Sequence, residues 1–220
     1  MSKQQTSLDL ILKQAMLPLF FHPGEEVSIH VLKALYSAGI RSVEYTNRGP
    51  EALGNFKKLL AVKKSEMKDL QLGIGTIKNK ESAAQFIEAG ADYLVSPGYI
   101  AEVGDIAGKN NILWIPGCMT SSEIIAAENA GVKFIKLFPG NILGPAFMSS
   151  IKDIFPDIYF MPTGGVDLTS ESIGGWFKSG VSAVGMGSKL ITKELLEQKN
   201  YTKIETLTKE ALSLVASLKK

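Results

Sequence analysis

Cysteine and histidine are scarce in this chain: Cys118 is the one thiol, and His22 and His30 are the two imidazoles. A single cysteine excludes an intrachain disulfide, so nothing calls for an oxidising compartment. Two histidines leave little for a metal centre built mainly on imidazole. Charge of one sign is lacking too. The 24 Lys+Arg and 22 Asp+Glu give a formal net charge of +2, too small to draw a nucleic acid or a membrane surface. The lysines that gather toward the C-terminus read as a solvated helix face. No stretch approaches the roughly 18 apolar residues that span a bilayer. The start, Met1-Ser-Lys-Gln-Gln, leads into an amphipathic segment from Leu8 to Met16 rather than an apolar signal sequence, and a cytoplasmic location is expected.

What is present is a repeated unit. With 220 residues, 45% of them hydrophobic, the chain suits one domain over residues 1–220. Short apolar runs recur at Met16–His22, Ser42–Thr46, Leu70–Thr76, Tyr93–Ser96, Ile112–Pro116, Phe134–Phe138, Ile158–Pro162 and Ala183–Gly187. Each has the length of a strand buried on both faces. Helical periodicity fills the gaps, as at Glu26–Ala38, Lys80–Ala89, Ser121–Ala130 and Ser170–Lys178. Several of these helices stop at a small residue followed by glycine, the C-terminal cap signal. Strict alternation of strand and helix gives parallel strands, and eight such units predict a closed α/β (β/α)₈ TIM barrel. The stretch Leu8–Met16 is expected to add an N-terminal helix that plugs the bottom, and Ile204–Leu218 to close the ring. The alternative, an open doubly wound sheet, lacks its dinucleotide glycine pattern: Gly73-Ile-Gly75 has no third glycine.

In such a barrel chemistry sits at the C-terminal strand ends. Strand six reads Phe134-Ile-Lys136-Leu-Phe138, so Lys136 shares a face with two aromatics while Ile135 and Leu137 suit the helix side. An inward lysine needs a reason. An unperturbed lysine is neutral to only about 0.04% at pH 7, and burial among apolar groups favours the neutral amine that attacks a ketone to form an imine. Strand two carries Glu44, Thr46 and Arg48 at a spacing of two. Glu44 is the candidate general acid/base, since a carboxyl group in a dry pocket holds its proton more firmly. Arg48 offers a planar fork for a keto-acid carboxylate. Spacing alone leaves open a plain buried Glu44–Lys136 ion pair with Arg48 exposed. Strands seven and eight end in Pro162-Thr163-Gly164-Gly165-Val166 and Gly185-Met-Gly187-Ser188-Lys189, a pair of glycine loops suited to a phosphorylated ligand. His22 ends strand one at the mouth, as a substrate contact or an exposed rim residue, and His30 reads as surface or packing.

Seven ordered motifs then converge: GIRSVEYTNR (Gly39–Arg48), GIGTI (Gly73–Ile77), SPG (Ser96–Gly98), IPGCMTSSE (Ile115–Glu123), KLFPG (Lys136–Gly140), MPTGGV (Met161–Val166) and VGMGSKL (Val184–Leu190). Together they resemble the signatures of KDPG/4-hydroxy-2-oxoglutarate aldolases, KDPG being 2-dehydro-3-deoxy-6-phosphogluconate. The resemblance implies a class I aldolase with Lys136 as the Schiff-base lysine and Glu44 as the proton shuttle. It implies Arg48 and Thr76 on the pyruvate carboxylate, Pro97 and Phe138 lining the pocket, and Gly164, Gly165, Gly187 and Ser188 on the phosphate, with Thr163 a further substrate contact. It also implies no metal or cofactor, a small keto-acid phosphate as the one partner, a homotrimer, and cleavage of KDPG to pyruvate and glyceraldehyde 3-phosphate. Other substrates it allows are 4-hydroxy-2-oxoglutarate and 2-dehydro-3-deoxy-6-phosphogalactonate; a reading of another class is a silent phosphosugar-binding barrel. The chain departs from the family pattern at Phe20–Pro23 and at Gly140–Pro145, a stretch expected to face the distal end of the substrate.

Overall fold

The structure, a computed structural model, describes residues 2–219. Eight parallel strands alternate with helices: β1 (Met16–Phe20), β2 (Ser42–Thr46), β3 (Gln71–Gly75), β4 (Tyr93–Val95), β5 (Leu113–Ile115, resuming as Gly117–Cys118), β6 (Phe134–Leu137), β7 (Tyr159–Pro162) and β8 (Val184–Met186). One ladder runs β5-β4-β3-β2-β1-β8 and the other joins the end of β5 to β6 and β7. The strand predicted over Ile112–Pro116 is therefore broken at Pro116. Proline has no N–H for the ladder, and the partner changes there: Leu113–Ile115 pair with β4, Gly117–Cys118 with β6. The Pro116 carbonyl still accepts from Lys136 N–H at 2.9 Å. A bridge between Thr163 and Gly185 links β7 to β8 and closes the ring.

The helices are α1 (Lys3–Gln14), α2 (Glu25–Ser37), α3 (Ala52–Glu66), α4 (Lys80–Ala89), α5 (Ala101–Lys109), α6 (Ser121–Asn129), α7 (Gly140–Ile151), α8 (Ser170–Lys178), α9 (Lys193–Glu197) and α10 (Tyr201–Leu218). Asn79, Thr120 and Thr169 cap α4, α6 and α8 through their side chains, satisfying N–H groups that the first turn leaves free. At the other end, Gly90 and Gly180 take φ of 108° and 99°, the left-handed cap that the small-residue–glycine signal predicts. The first helix begins earlier than expected, at Lys3, because Ser2 caps it, and Met16 already belongs to β1. β1 in turn stops at Phe20, leaving Phe21 and His22 in the loop.

Strand parity divides the apolar residues into two cores. Val43, Tyr45, Ile74, Leu94, Ile135 and Leu137 face the helices. Leu17, Tyr93, Val95, Leu113, Ile115, Phe134, Met161 and Ala183 fill the barrel, joined from below by Leu8 and Ile11 of α1. The Gln14 side-chain oxygen accepts from Arg41 N–H (2.6 Å) and Ser42 N–H (3.0 Å), tying α1 to the start of β2. The bottom is thus closed, and the open end is where β2, β6, β7 and β8 terminate.

Candidate active site

Glu44 points into the barrel from β2 and is fully buried; Lys136 points in from β6 and is 5% exposed. Their closest approach, Nζ to Oε1, is 4.0 Å. A charge-assisted hydrogen bond would lie near 2.7–2.9 Å. Neither Glu44 oxygen has a hydrogen-bond partner among the described residues. A structural ion pair offsets its desolvation only with close geometry and satisfied lone pairs, and this pair has neither. The Lys136 Nζ also lies 5.0 Å from the Phe138 ring centre. Burial pushes the Glu44 carboxyl above the usual carboxylate range, against a smaller opposing pull from Lys136 and Arg48. Glu44 therefore holds a proton more firmly than a free carboxyl group does, with a gap beside it that a small ligand's oxygen could occupy.

The seat for that carboxyl is made by β3. A Cβ on Gly75 would lie 1.7 Å from Glu44 Oε1, and one on Gly73 would lie 2.0 Å from the Tyr93 ring. Both glycines are at inward positions of β3, so their missing side chains are the space that Glu44 and Tyr93 fill. In the sequence this pair stands out as an incomplete dinucleotide pattern and as part of the GIGTI motif, neither of which points to a seat for Glu44. The signal that would have found its role was parity, two glycines facing a strand that carries an inward acid.

The raised proton affinity of Glu44 has a stability consequence of definite sign. The folded state holds this proton more tightly than the unfolded chain, so the contribution is full below the ordinary value of 4.5 and is lost as pH rises through the folded value. Glu44→Gln is expected to lack that decline. Its stability relative to the parent, followed by thermal melts, should climb from pH 4.5 upward by about 1.4 kcal/mol for each unit of upward shift. A constant difference between the two proteins across that range would contradict it.

Above this pair opens a cavity of about 500 Å³ whose lining includes Thr46, Arg48, Phe138, Thr163, Gly164, Gly165, Gly187 and Ser188, with His22, Lys189, Ile191, Lys193, Leu196 and Glu197 also on the wall. Glu44 and Lys136 do not line it themselves. Each stands two residues, one inward layer, before Thr46 or Phe138, so they lie one layer beneath it. Arg48 is exposed at the rim, and among the described residues no carboxylate lies within ion-pair distance of it. The two lysines of the wall are matched, Lys189 to Asp167 at 2.9 Å and Lys193 to Glu197 at 3.5 Å. Gly164 and Gly165 adopt φ of 93° and 73°, which only glycine takes at little cost. Among the described residues their N–H groups and that of Ser188 donate to no protein atom. Among the described residues the Thr163 hydroxyl is buried without a partner, in the space left by the missing side chain of Gly185, whose Cβ would lie 2.4 Å from it.

Thr76 and Pro97 are absent from this wall. They follow β3 and β4, half-buried, on the other side of the mouth. Thr76 has φ of 61°, a conformation that a β-branched residue adopts under strain. The Gly140–Pro145 stretch, expected to face distal substrate, does not line the cavity either. It forms the start of α7, and Asn141 packs behind Gly165, where an added Cβ would lie 2.5 Å from the Asn141 Cβ. The wall contributed by α9 and Ile191 went unread, because a five-residue helix after β8 leaves almost no periodic signal. His30 is exposed and stacks on Tyr201, a surface role. Among the described residues no three His, Cys, Asp or Glu side chains converge as metal ligands.

Comparisons with known proteins bear on this arrangement. The family model described as KDPG and KHG aldolase matches residues 9–207. The 2-dehydro-3-deoxy-phosphogluconate aldolase of Pseudomonas aeruginosa is 30% identical over 97% of this chain and 96% of its own. The KHG/KDPG aldolase of Escherichia coli K12 is 31% identical over 96% of this chain and 98% of its own. In three dimensions the KDPG aldolase of Legionella pneumophila, solved with pyruvate captured as a covalent carbinolamine, superposes with a TM-score of 0.86 at 26% identity, covering 95% of this chain and 98% of that one. With an inward lysine and carboxyl under a cavity at the strand ends of a (β/α)₈ barrel, and matches spanning nearly its whole length, the chain belongs to the KDPG and KHG aldolase family of class I carbon–carbon lyases.

Proposed function

We propose that the protein reversibly cleaves 2-dehydro-3-deoxy-6-phosphogluconate to pyruvate and glyceraldehyde 3-phosphate, with Lys136 as the nucleophile and Glu44 as the proton carrier. The observation that carries this reading is the 4.0 Å gap between Lys136 Nζ and a buried Glu44 carboxyl that has no hydrogen-bond partner among the described residues. The neutral amine of Lys136 adds to the C2 ketone, and Glu44 hands a proton to the departing oxygen, so that water leaves and an iminium forms. The C4 hydroxyl gives its proton to Glu44 as the C3–C4 bond breaks. The electron pair of that bond flows to the iminium nitrogen, leaving an enamine and releasing the aldehyde. Protonation of the enamine at C3 and addition of water return pyruvate and the free lysine. Glu44 suits both directions of transfer because burial raises its proton affinity while the Lys136 and Arg48 charges oppose that rise.

In this reading Arg48, with no carboxylate partner of its own, takes the keto-acid carboxylate together with Thr76. Pro97 and Phe138 flank the reacting carbons. Thr163, whose hydroxyl is buried and unpaired, meets a substrate hydroxyl, and the open N–H groups of Gly164, Gly165 and Ser188, with Gly187, receive the phosphate. The reaction is carried by one barrel over residues 1–220, and the assembly proposed is a homotrimer in the cytoplasm.

Incubation with pyruvate followed by borohydride is expected to fix one pyruvate-derived adduct on Lys136, read by peptide mass spectrometry. An adduct on another lysine, or none, overturns the assignment. A second substrate, 4-hydroxy-2-oxoglutarate, is favoured by one observation: Asp167 and Glu197 match the wall lysines charge for charge, which weakens the attraction for a dianion. The phosphate reading predicts that kcat/KM for the phosphorylated six-carbon substrate exceeds that for 4-hydroxy-2-oxoglutarate by about 100-fold, the worth of one to two hydrogen bonds to a charged group. Equal values would move the assignment to the smaller substrate.

A further inference from the structure

One wall residue is held far more firmly than a rim side chain requires. His22 stands in the loop after β1 and lines the cavity. Its backbone carbonyl accepts from Tyr45 Oη at 2.8 Å, Ser28 Oγ at 3.0 Å and Asn55 Nδ2 at 3.3 Å. Tyr45 and Ser28 are fully buried and Asn55 nearly so, so three side chains from β2, α2 and α3 converge on one oxygen. The ring is fixed as well. Gly24 N–H donates to Nδ1 at 3.0 Å, and a Cβ on Gly24 would lie 3.1 Å from two ring atoms, so glycine is what allows the ring to lie there.

These contacts select the tautomer. Nδ1 also lies 3.4 Å from the Gly24 carbonyl, a bond that would need a proton on Nδ1. That carbonyl already accepts from Ser28 N–H at 3.1 Å and Ser28 Oγ at 3.0 Å, whereas no other acceptor meets the Gly24 N–H among the described residues. The shorter contact therefore decides: Nδ1 accepts, and the proton sits on Nε2. With Nδ1 accepting, His22 presents its N–H donor at Nε2, whose aim is set by its backbone and its other nitrogen.

The ring of strands says where that donor stands. β1 lies between β8 and β2, so the loop bearing His22 lies between Ser188, after β8, and Arg48, after β2. The two wall lysines are each matched by a carboxylate, which leaves His22 as a wall donor committed on one nitrogen only. We infer that His22 is a specificity-determining residue whose Nε2–H donates to a phosphoryl oxygen at the distal end of the bound substrate. This rests on the aldolase reading above.

Two amide substitutions separate this role from a purely structural one. Asparagine places its oxygen where Nδ1 stands and keeps the Gly24 bond without the distal donor. Glutamine places an N–H where Nε2 stands and gives up the Gly24 bond. H22N is expected to raise KM for 2-dehydro-3-deoxy-6-phosphogluconate about tenfold, the effect of one hydrogen bond to a charged acceptor, with kcat changed less than about twofold. H22Q is expected to keep KM within about threefold of the parent, and the rise in H22N should vanish with the unphosphorylated sugar acid. An unaltered KM in H22N with impairment confined to H22Q would overturn the inference, leaving His22 a loop-fixing residue. A KM rise of equal size with and without the phosphate would overturn it as well. Borohydride trapping of pyruvate on the parent protein tests the aldolase reading separately, since it does not involve the distal end.

Discussion

Lys136→Met is expected to abolish turnover, lowering kcat by at least about 10⁴-fold, or about 5.5 kcal/mol of barrier, and to eliminate the borohydride adduct with pyruvate. Methionine matches the lysine stem in length and flexibility and suits a site bounded by the Phe138 ring. The fold should survive, because the lysine's one ion-pair contact is the 4.0 Å approach to Glu44 rather than a close bridge. Breaking a tight buried pair costs about 3–5 kcal/mol through the charge it strands. Here the approach is too long for a close bridge, and burial raises the proton affinity of Glu44, so less is lost with the lysine. The melting temperature should fall by less than about 5 °C, since about 1 kcal/mol corresponds to about 2–4 °C in a domain of this size. Residual cleavage above about 1% of the parent rate would mean that another group supplies the nucleophile.

Gly75→Ala is expected to lower kcat by about 10²–10⁴-fold, the usual worth of a positioned general acid/base. The added methyl carbon would sit 1.7 Å from Glu44 Oε1 and 2.5 Å from its carboxyl carbon, so the carboxyl must leave its place. Gly75 does not have a positive φ, and alanine can hold its backbone without strain. The loss should therefore fall on chemistry more than on folding. Gly73→Ala makes the contrast. There the methyl would meet the Tyr93 ring at 2.0 Å, a rigid group hydrogen-bonded to Ser42, and the expected result is overpacking that destabilises by about 1–3 kcal/mol. If Gly75→Ala kept near-parent activity, Glu44 could not be the proton carrier in the position seen.

Glu44 and Lys136 were legible because their neighbours are periodic. Phe134, Lys136 and Phe138 alternate with two aliphatic residues, and that alternation alone sets which side faces the barrel. The same holds for Glu44, Thr46 and Arg48 until the strand ends at Thr46, where regular geometry no longer guides Arg48. His22 was harder. Its importance lies in four hydrogen bonds from residues between 2 and 33 positions away in sequence, which no local pattern displays. Thr76 and Pro97 came from resemblance alone, and the geometry separates them from the wall that the other candidates share.

The order of elements, the inward faces of the strands, the helix stops and the inward placement of Glu44 and Lys136 were determined by the sequence itself, because period-two alternation and left-handed glycine caps are local properties of the backbone. Tertiary structure alone decided whether Glu44 and Lys136 form a bridge or a gap, that two glycines on β3 are the seat of the acid and of Tyr93, and that the β5 ladder changes partner at Pro116. Those features are distances between strands far apart in sequence, and they arise only when the ring closes and each inward side chain must fit the volume its neighbours leave.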